Sequence, residues 1–291
     1  MRPTVLWLLV VSAGLVLGAT HAGLAQYAGA SLIDVPGAVG TYAFGINDAG
    51  EIVGYYQAPD NRWHGFSRMG VGGTVTTFDA PEAAATYAHG VNPAGVIVGH
   101  FVDAAKHTHG YLRNPDGTFV TIDVAGATDT RAFGINKAGE IVGYFVDAAG
   151  KTHGFARTPD GAVTTLDVPR ALITTAAGMN DGGDIVGSFV DTNYVDHGYV
   201  RTRSGRLTTI DVDRQPHTDA AAINNRGDIV GAYLDTGSEW HAFSRTRLGV
   251  VTTFSMPASI GTLGCGVTSA GRMIGEFEDS STMWHGFLTD R

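Results

Sequence analysis

A Gly-Ile-Asn element, varied in some copies, starts at residues 45, 90, 134, 178, 222 and 266, so the chain repeats itself every 44 or 45 residues. The second copy carries Gly90-Val91-Asn92, Ile97-Val98-Gly99, His109-Gly110-Tyr111 and Thr121-Ile122-Asp123. A unit of this length cannot bury a core by itself, and its apolar face must be covered by its neighbours in a repeat architecture. Six copies fill nearly everything after the first thirty residues. No room is left for a second core.

Each unit reads as four short strands. In the first copy these are Thr41 to Ile46, Glu51 to Tyr56, His64 to Arg68 and a segment ending near Asp79, with Asn47-Asp48-Ala49-Gly50 as the first turn. Asn114-Pro115-Asp116-Gly117 and Thr158-Pro159-Asp160-Gly161 read as hairpin turns into strand four, which in copy three is Thr164 to Asp167. Strands this short, joined by turns this tight, form an antiparallel meander, and no segment has helical periodicity. Gly at 41 of 291 residues suits so many turns.

The copies are cut unevenly at the two ends. Ser31-Leu32-Ile33-Asp34-Val35 matches the end of a unit, while the chain stops after His285-Gly286-Phe287-Leu288-Thr289, a third strand with no fourth behind it. The two fragments make one whole unit. The expected fold is therefore all-β: a six-bladed β-propeller of four-stranded antiparallel blades, its ring closed by the N-terminal strand, with an open β-array or β-helix as the alternative.

The Gly-Ile-Asn, Ile-Val-Gly and His-Gly-Phe elements, with His241-Ala242-Phe243 in copy five, resemble the bacterial extracellular HAF-repeat family. The resemblance covers residues 31–291. It implies secretion and repetition, and it brings no catalytic residues with it. Copy six departs at Thr268, where the other copies have Asn.

Residues Val5 to Leu17 form an apolar run behind Arg2, followed by small residues up to Ala25. This reads as a secretory signal peptide over residues 1–25, cleaved after Ala25 or Ala22, and is too short for a stable membrane span. The mature propeller would be residues 26–291, extracellular or periplasmic, and monomeric. Its loss of Arg2 takes the formal charge from −9 to −10, an acidic balance that argues against a nucleic-acid partner. The single cysteine, Cys265, excludes an internal disulfide and reads as a small buried hydrophobe.

Three recurring polar series have structural readings. His64, His109, His153, His197, His241 and His285 begin strand three, one per unit, too dispersed for a shared metal or proton relay. Each is expected to tie its strand to neighbouring backbone. Asp34, Asp79, Asp123, Asp167 and Asp211 end strand four, and Arg68, Arg113, Arg157, Arg201 and Arg245 end strand three. Ser255 and Thr289 replace both in the last pairing, which suggests interblade bridges Asp34–Arg68, Asp79–Arg113 and so on. Asp103, Asp147, Asp191, Asp235 and Asp279, a conceivable cation rim, are expected instead to bond their own turn backbone.

Function should sit where copies differ. Near the start of strand one the copies carry Tyr42, Tyr87, Arg131, Thr175, Asp219 and Leu263, and two residues on, Phe44, His89, Phe133, Ala177, Ala221 and Cys265. If strand one is innermost, Tyr42, Tyr87, His89, Arg131 and Asp219 form a polar, aromatic cluster at one mouth of the channel. Before the recurring His stand Trp63, Thr108, Thr152, Asp196, Trp240 and Trp284, so ring closure would gather three tryptophans into an arc on the same face.

Stronger motifs fail. There is no Gly-x-Ser-x-Gly elbow, Gly150-Lys151-Thr152 lacks the first glycine of a phosphate loop, and His100, His107 and His109 look like a chance cluster. No metal or cofactor is expected. The leading expectation is non-catalytic binding of an extracellular glycan or protein, with Trp63, Trp240, Trp284, Tyr42 and Tyr87 as ligand-binding residues. The alternative is a carbohydrate-active enzyme of the polysaccharide lyase type, with His89 and Tyr42 or Tyr87 as acid–base groups, Arg131 neutralising a uronate, and Asp219 as a further candidate. A structural envelope or matrix protein is the third. Convergence of His89, Tyr87 and Arg131 in one pocket would favour the enzyme, and a flat aromatic arc over a plugged channel would favour binding.

Overall fold

The computed structural model describes residues 29–212, 215 and 217–290. The expected leader lies outside the described residues. Among the described residues every regular element is a strand, as the meander pattern requires, and no helix is long and apolar enough to cross a membrane.

In the first copy, strands Gly40–Ile46, Glu51–Gln57, Trp63–Met69 and Thr76–Phe78 lie side by side in chain order, each antiparallel to the next. The first turn closes when Gly50 N–H donates to the Asn47 carbonyl at 3.0 Å, with Gly50 at a φ of 86° that favours glycine. Copies two to five repeat the plan. Strand one of copy four is written in two pieces, Ile173–Thr174 and Gly178–Met179, but Thr175 and Ala177 between them still donate to strand two.

Copy six has only three strands of its own, Ser259–Val267, Met273–Asp279 and Trp284–Thr289. Its fourth is the first strand of the chain, Ala30–Ile33, which pairs antiparallel with the last, Ala30 opposite Thr289 and Ile33 opposite Gly286. Single parallel bridges, Thr108–Asp129, Asp196–His217 and Trp240–Gly261, link some copies, giving sheets of four, eight and thirteen strands, none of which closes on itself.

The Ile-Val-Gly element explains how neighbours adhere. Successive side chains of a strand point to opposite faces, so Ile packs backward and Val forward. Ile141 joins Val98 and Ile122 of copy two, while Val142 joins Ala176 and Ile185 of copy four. The same holds for Ile52, which meets Ile33, Ile274 and Leu288 of the copy-six sheet, and for Val53, which meets Ala88 and Ile97 of copy two. Every junction thus has its own apolar cluster, the one between copies six and one included. Full burial of each such side chain contributes about 1.5–3 kcal/mol.

The glycine that follows is steric. A Cβ on Gly54, Gly99, Gly143, Gly187, Gly231 or Gly275 would stand 1.9–2.1 Å from a strand-one carbonyl oxygen. Asn of the Gly-Ile-Asn element works in two directions. Its Oδ1 accepts the turn backbone, as Asn47 does from Glu51 N at 3.0 Å, and its amide donates to the next copy's carbonyl, Asn47 to Asn92 O at 3.0 Å and Asn224 to Thr268 O at 3.0 Å. Copies six and one meet through Ser269, whose N–H and hydroxyl both donate to Asp48 at 2.7 Å.

Two expectations about recurring residues need correction. The imidazoles bond carboxylates rather than backbone: His64 Nδ1 meets Asp79 at 2.9 Å, His109 meets Asp123 at 2.9 Å, and His285 meets Asp34 at 3.1 Å. The expected Asp–Arg bridges do not form. Arg113 instead lies 4.6 Å over the Phe78 ring, and Arg68 donates to the Gly70 carbonyl at 3.0 Å. Ser255 keeps the histidine contact, with its hydroxyl 2.7 Å from His241 Nδ1, whereas Thr289 accepts from Met273 N at 2.9 Å. The two substitutions are unrelated. The turn aspartates behave as expected, for instance Asp147 Oδ1, which accepts from Ala149 N and Lys151 N at 2.8 Å.

Candidate functional site

The inner parts of strands one and two surround a chamber of 400 Å³. Copies one, two, three and six fill their share with large side chains, among them Tyr42, Tyr55, His100 and Tyr144. On strands one and two, copies four and five supply the smaller Thr175, Ala177, Ser188 and Ala221, with Asp219, while Trp240 enters from strand three of copy five. The space is widest where those small side chains stand. A larger open trough of 660 Å³, lined by Asp34, Pro36, Tyr56 and Arg68, lies outside at the junction of copies six and one. It is a surface groove without buried orphan groups.

All eight residues singled out from the sequence line the chamber: Tyr42, Tyr87, His89, Arg131, Asp219, Trp63, Trp240 and Trp284. The tryptophans reach it from strand three because that strand begins beside strand one of the next copy, where glycine leaves room. Trp284 Cβ lies 3.6 Å from the place of a Cβ on Gly40, and Trp240 Cβ 3.7 Å from that on Gly261. Trp63 and Trp284 join a wall of rings: Trp284 stacks on Tyr42 at 5.7 Å, Tyr42 on Tyr55 at 5.0 Å, Trp63 touches Tyr87 at 5.8 Å, and Tyr87 stacks on His100 at 4.5 Å.

Strand two supplies what the sequence reading overlooked. The residue after Ile-Val-Gly or its equivalent is Tyr55, His100, Tyr144, Ser188, Ala232 and Glu276, different in almost every copy. It sits directly across from the variable strand-one residue: Tyr42 opposite Tyr55, Tyr87 opposite His100, Arg131 opposite Tyr144, Leu263 opposite Glu276. Copy-to-copy variation at that position was the available signal.

Electrostatically the chamber divides in two. On one side Arg131 is held by Asp129 in a two-pronged ion pair, Nη2 to Oδ2 at 2.9 Å and Nε to Oδ1 at 3.0 Å, so its charge is already compensated. Burial, with the Arg131 charge added, pushes His89 down to about 3 and His100 well down also, and their rings share a hydrogen bond of 2.9 Å. Both imidazoles are neutral in the ordinary pH range. Burial pushes Tyr87 up to about 12 and Tyr42 higher still. On the other side, burial pushes Glu276 up to about 8, and Asp219 up to about 7 against a hydrogen bond from Ser188. Glu276 Oε2 and His89 Nδ1 are buried without a hydrogen-bond partner. Cys265 is buried beside Glu276, and burial pushes its thiol up, which suits a packing residue rather than a nucleophile.

Away from the chamber, Asp103, His107 and His109 bring ligand-type atoms within 4.8 Å of one another, whereas His100 points inward, so the His100, His107 and His109 grouping weighed from the sequence does not assemble.

No protein-family model matches the chain, and no curated protein matches it in sequence. Solved structures do resemble it. TolB from Acinetobacter baumannii superposes with a TM-score of 0.61 at 13% identity over 84% of this chain, which spans 65% of TolB. A streptogramin B lyase structure gives 0.52 at 14% identity over 89% of this chain and 97% of the lyase. A variant of Aleuria aurantia lectin in complex with Fucα1-6GlcNAc gives 0.54 at 10% identity over 86% of this chain and 93% of the lectin. That lectin has a six-bladed β-propeller fold.

The chain is a β-propeller. Identities this low carry the fold alone, and a propeller scaffold serves many tasks.

Proposed function

We propose that the chain is a secreted six-bladed propeller, closed by its N-terminal strand and monomeric, whose central chamber binds an extracellular glycan. Ring closure is supported by the pairing of Ala30–Ile33 with Trp284–Thr289 and by the apolar cluster between copies six and one. Secretion rests on the leader sequence and on the likeness of the repeat to the HAF family. The observation that carries the binding role is the coincidence of copy-specific residues with one partly open, ring-lined space holding unpartnered polar atoms. A pyranose offers an apolar face to rings such as Trp284 and Tyr42 and hydroxyls to polar groups between them. Lectin activity in a propeller of similar shape is compatible with this use.

Two observations favour the catalytic reading: His89, Tyr87 and Arg131 line a single chamber, and that chamber is open rather than the plugged channel expected of a binder. Their chemistry argues against a lyase. Arg131 is spent on Asp129, leaving little charge to neutralise a uronate, and the raised Tyr42 and Tyr87 phenols are poor bases.

A glycan array and a polysaccharide-degradation screen on the mature protein, with the W63A/W240A/W284A variant alongside, test the proposal. Glycan retention that disappears in the triple variant supports it. Retention unchanged in that variant sinks the aromatic wall, and chain cleavage would restore the enzyme.

A further inference from the structure

The copy-six wall of the chamber differs from the other five. Positions i and i+2 of strand two face the same side, and the copies carry Tyr55 and Gln57, His100 and Val102, Tyr144 and Val146, Ser188 and Val190, Ala232 and Leu234, and finally Glu276 and Glu278. Only copy six presents two acids, and both line the chamber.

No cation answers them. Arg131 is the single Lys or Arg in the lining, and it is paired with Asp129. Glu276 is 5% exposed, with Oε2 unpartnered. Its surroundings are the Cys265 thiol and the ring wall, where Tyr42 stacks on Tyr55 and Trp284 at 5.0 and 5.7 Å. A carboxyl group without a partner in such a place is costly to ionise, and burial accordingly raises Glu276 to about 8. A protonated amine is the group that supplies what is missing: donors for the orphan oxygen, a charge opposite two acids, and a cation for the faces of the rings.

We propose that the chamber selects a glycan bearing a free amine, a de-N-acetylated amino sugar, with its ammonium group seated between Glu276, Glu278 and the rings of Tyr42 and Trp284. This rests on the chamber being a glycan site. Neutral sugars satisfy the rings and can donate hydroxyls, but they bring no charge that would favour the ionised forms of Glu276 and Glu278. N-acetylated sugars lose the charge and add bulk where the amine should sit.

The test is calorimetric titration of the mature protein, in physiological salt, with short glucosamine oligomers, N-acetylglucosamine oligomers and cello-oligomers of equal length. Tighter binding of the glucosamine oligomers by tenfold or more is expected, and E276Q/E278Q should abolish that preference. A charge-matched control, D116N/D160N on exposed turns, should leave it intact; if it erases the preference equally, the attraction is general acidity and the proposal falls. Equal affinity for all three sugars overturns the amine and leaves the glycan site standing. Binding of ethylammonium while none of the three sugars binds would overturn the glycan reading and keep the ammonium seat. No binding by any of these removes both.

Discussion

His285 and Asp34 are 251 positions apart in the sequence, yet Nδ1 of one lies 3.1 Å from Oδ2 of the other. The contact fixes the end of the N-terminal strand on the last strand of the chain. It is the same His–carboxylate contact that every other acid-bearing copy makes internally, so the shared copy is built by the same rule. Ile33, wholly buried beside Ile274 and Leu288, supplies the apolar part of the join. I33A should therefore cost about 2–5 kcal/mol in denaturant unfolding, as for other buried Ile truncations. A loss below experimental error would mean that the N-terminal strand is not part of the stable fold.

The same histidine sets a pH dependence. Burial alone would lower the pKa of His285, but hydrogen bonds and charges from Asp34 and Asp279 outweigh it and the net shift is upward. A group whose pKa is raised on folding contributes stability in full below its unfolded value, near 6.5, and loses it as pH rises through the folded value. The melting-temperature gap between the natural protein and H285Q should be widest near pH 6 and shrink toward pH 8.5. A gap that grows with pH would contradict the assignment.

Glycines of two kinds should respond differently. A Cβ on Gly143 would lie 1.9 Å from Arg131 O, so G143A forces the strands apart and should cost about 3 kcal/mol or more. Gly126, at a φ of 81° with open space around it, pays only for the backbone, about 1–2 kcal/mol in G126A. Equal losses in urea titrations would show that the strand-two glycine is not there for space.

If Asp129 is what cancels Arg131, D129N should free a positive charge at the chamber wall. Oligogalacturonate, which the natural protein is expected to ignore, should then bind measurably by calorimetry. Continued indifference to the uronate would show that the guanidinium is compensated elsewhere. Some stability is lost as well, since a partly buried ion pair is broken from one side only.

Cys265, buried and raised by burial and by Glu276, should resist a thiol-specific reagent in the native state and react fully once unfolded. Fast native labelling would place the thiol in contact with solvent.

The repeat made the strand order, the turns and the shared sixth unit legible, because periodic apolar positions and turn residues act locally. Subtracting the copies from one another found Tyr42, Tyr87, His89, Arg131, Asp219 and the three tryptophans without coordinates. It missed Glu276, Tyr55 and His100 because only strand one was assumed to face inward, although an antiparallel neighbour places its own side chain directly opposite. The Asp–Arg pairing failed for another reason. The joint loss of acid and base in a single copy suggested contact, but Ser255 and Thr289 serve different partners. Thr41, Thr86, Thr130, Thr174, Thr218 and Thr262 went unnoticed; each hydroxyl accepts a backbone N–H in the loop before it, as Thr41 does from Val35 N at 3.0 Å. Such loop ties leave no periodic apolar signature.

The asparagine amides carry an evolutionary consequence. Asn47, Asn92, Asn180 and Asn224 each donate to a main-chain carbonyl of the following unit, so the coupling reads no side chain. A backbone carbonyl is common to every unit whatever its sequence. Duplicated units could therefore be joined the day they arose, and each was then free to change its inward-facing residues without renegotiating its fit to the next.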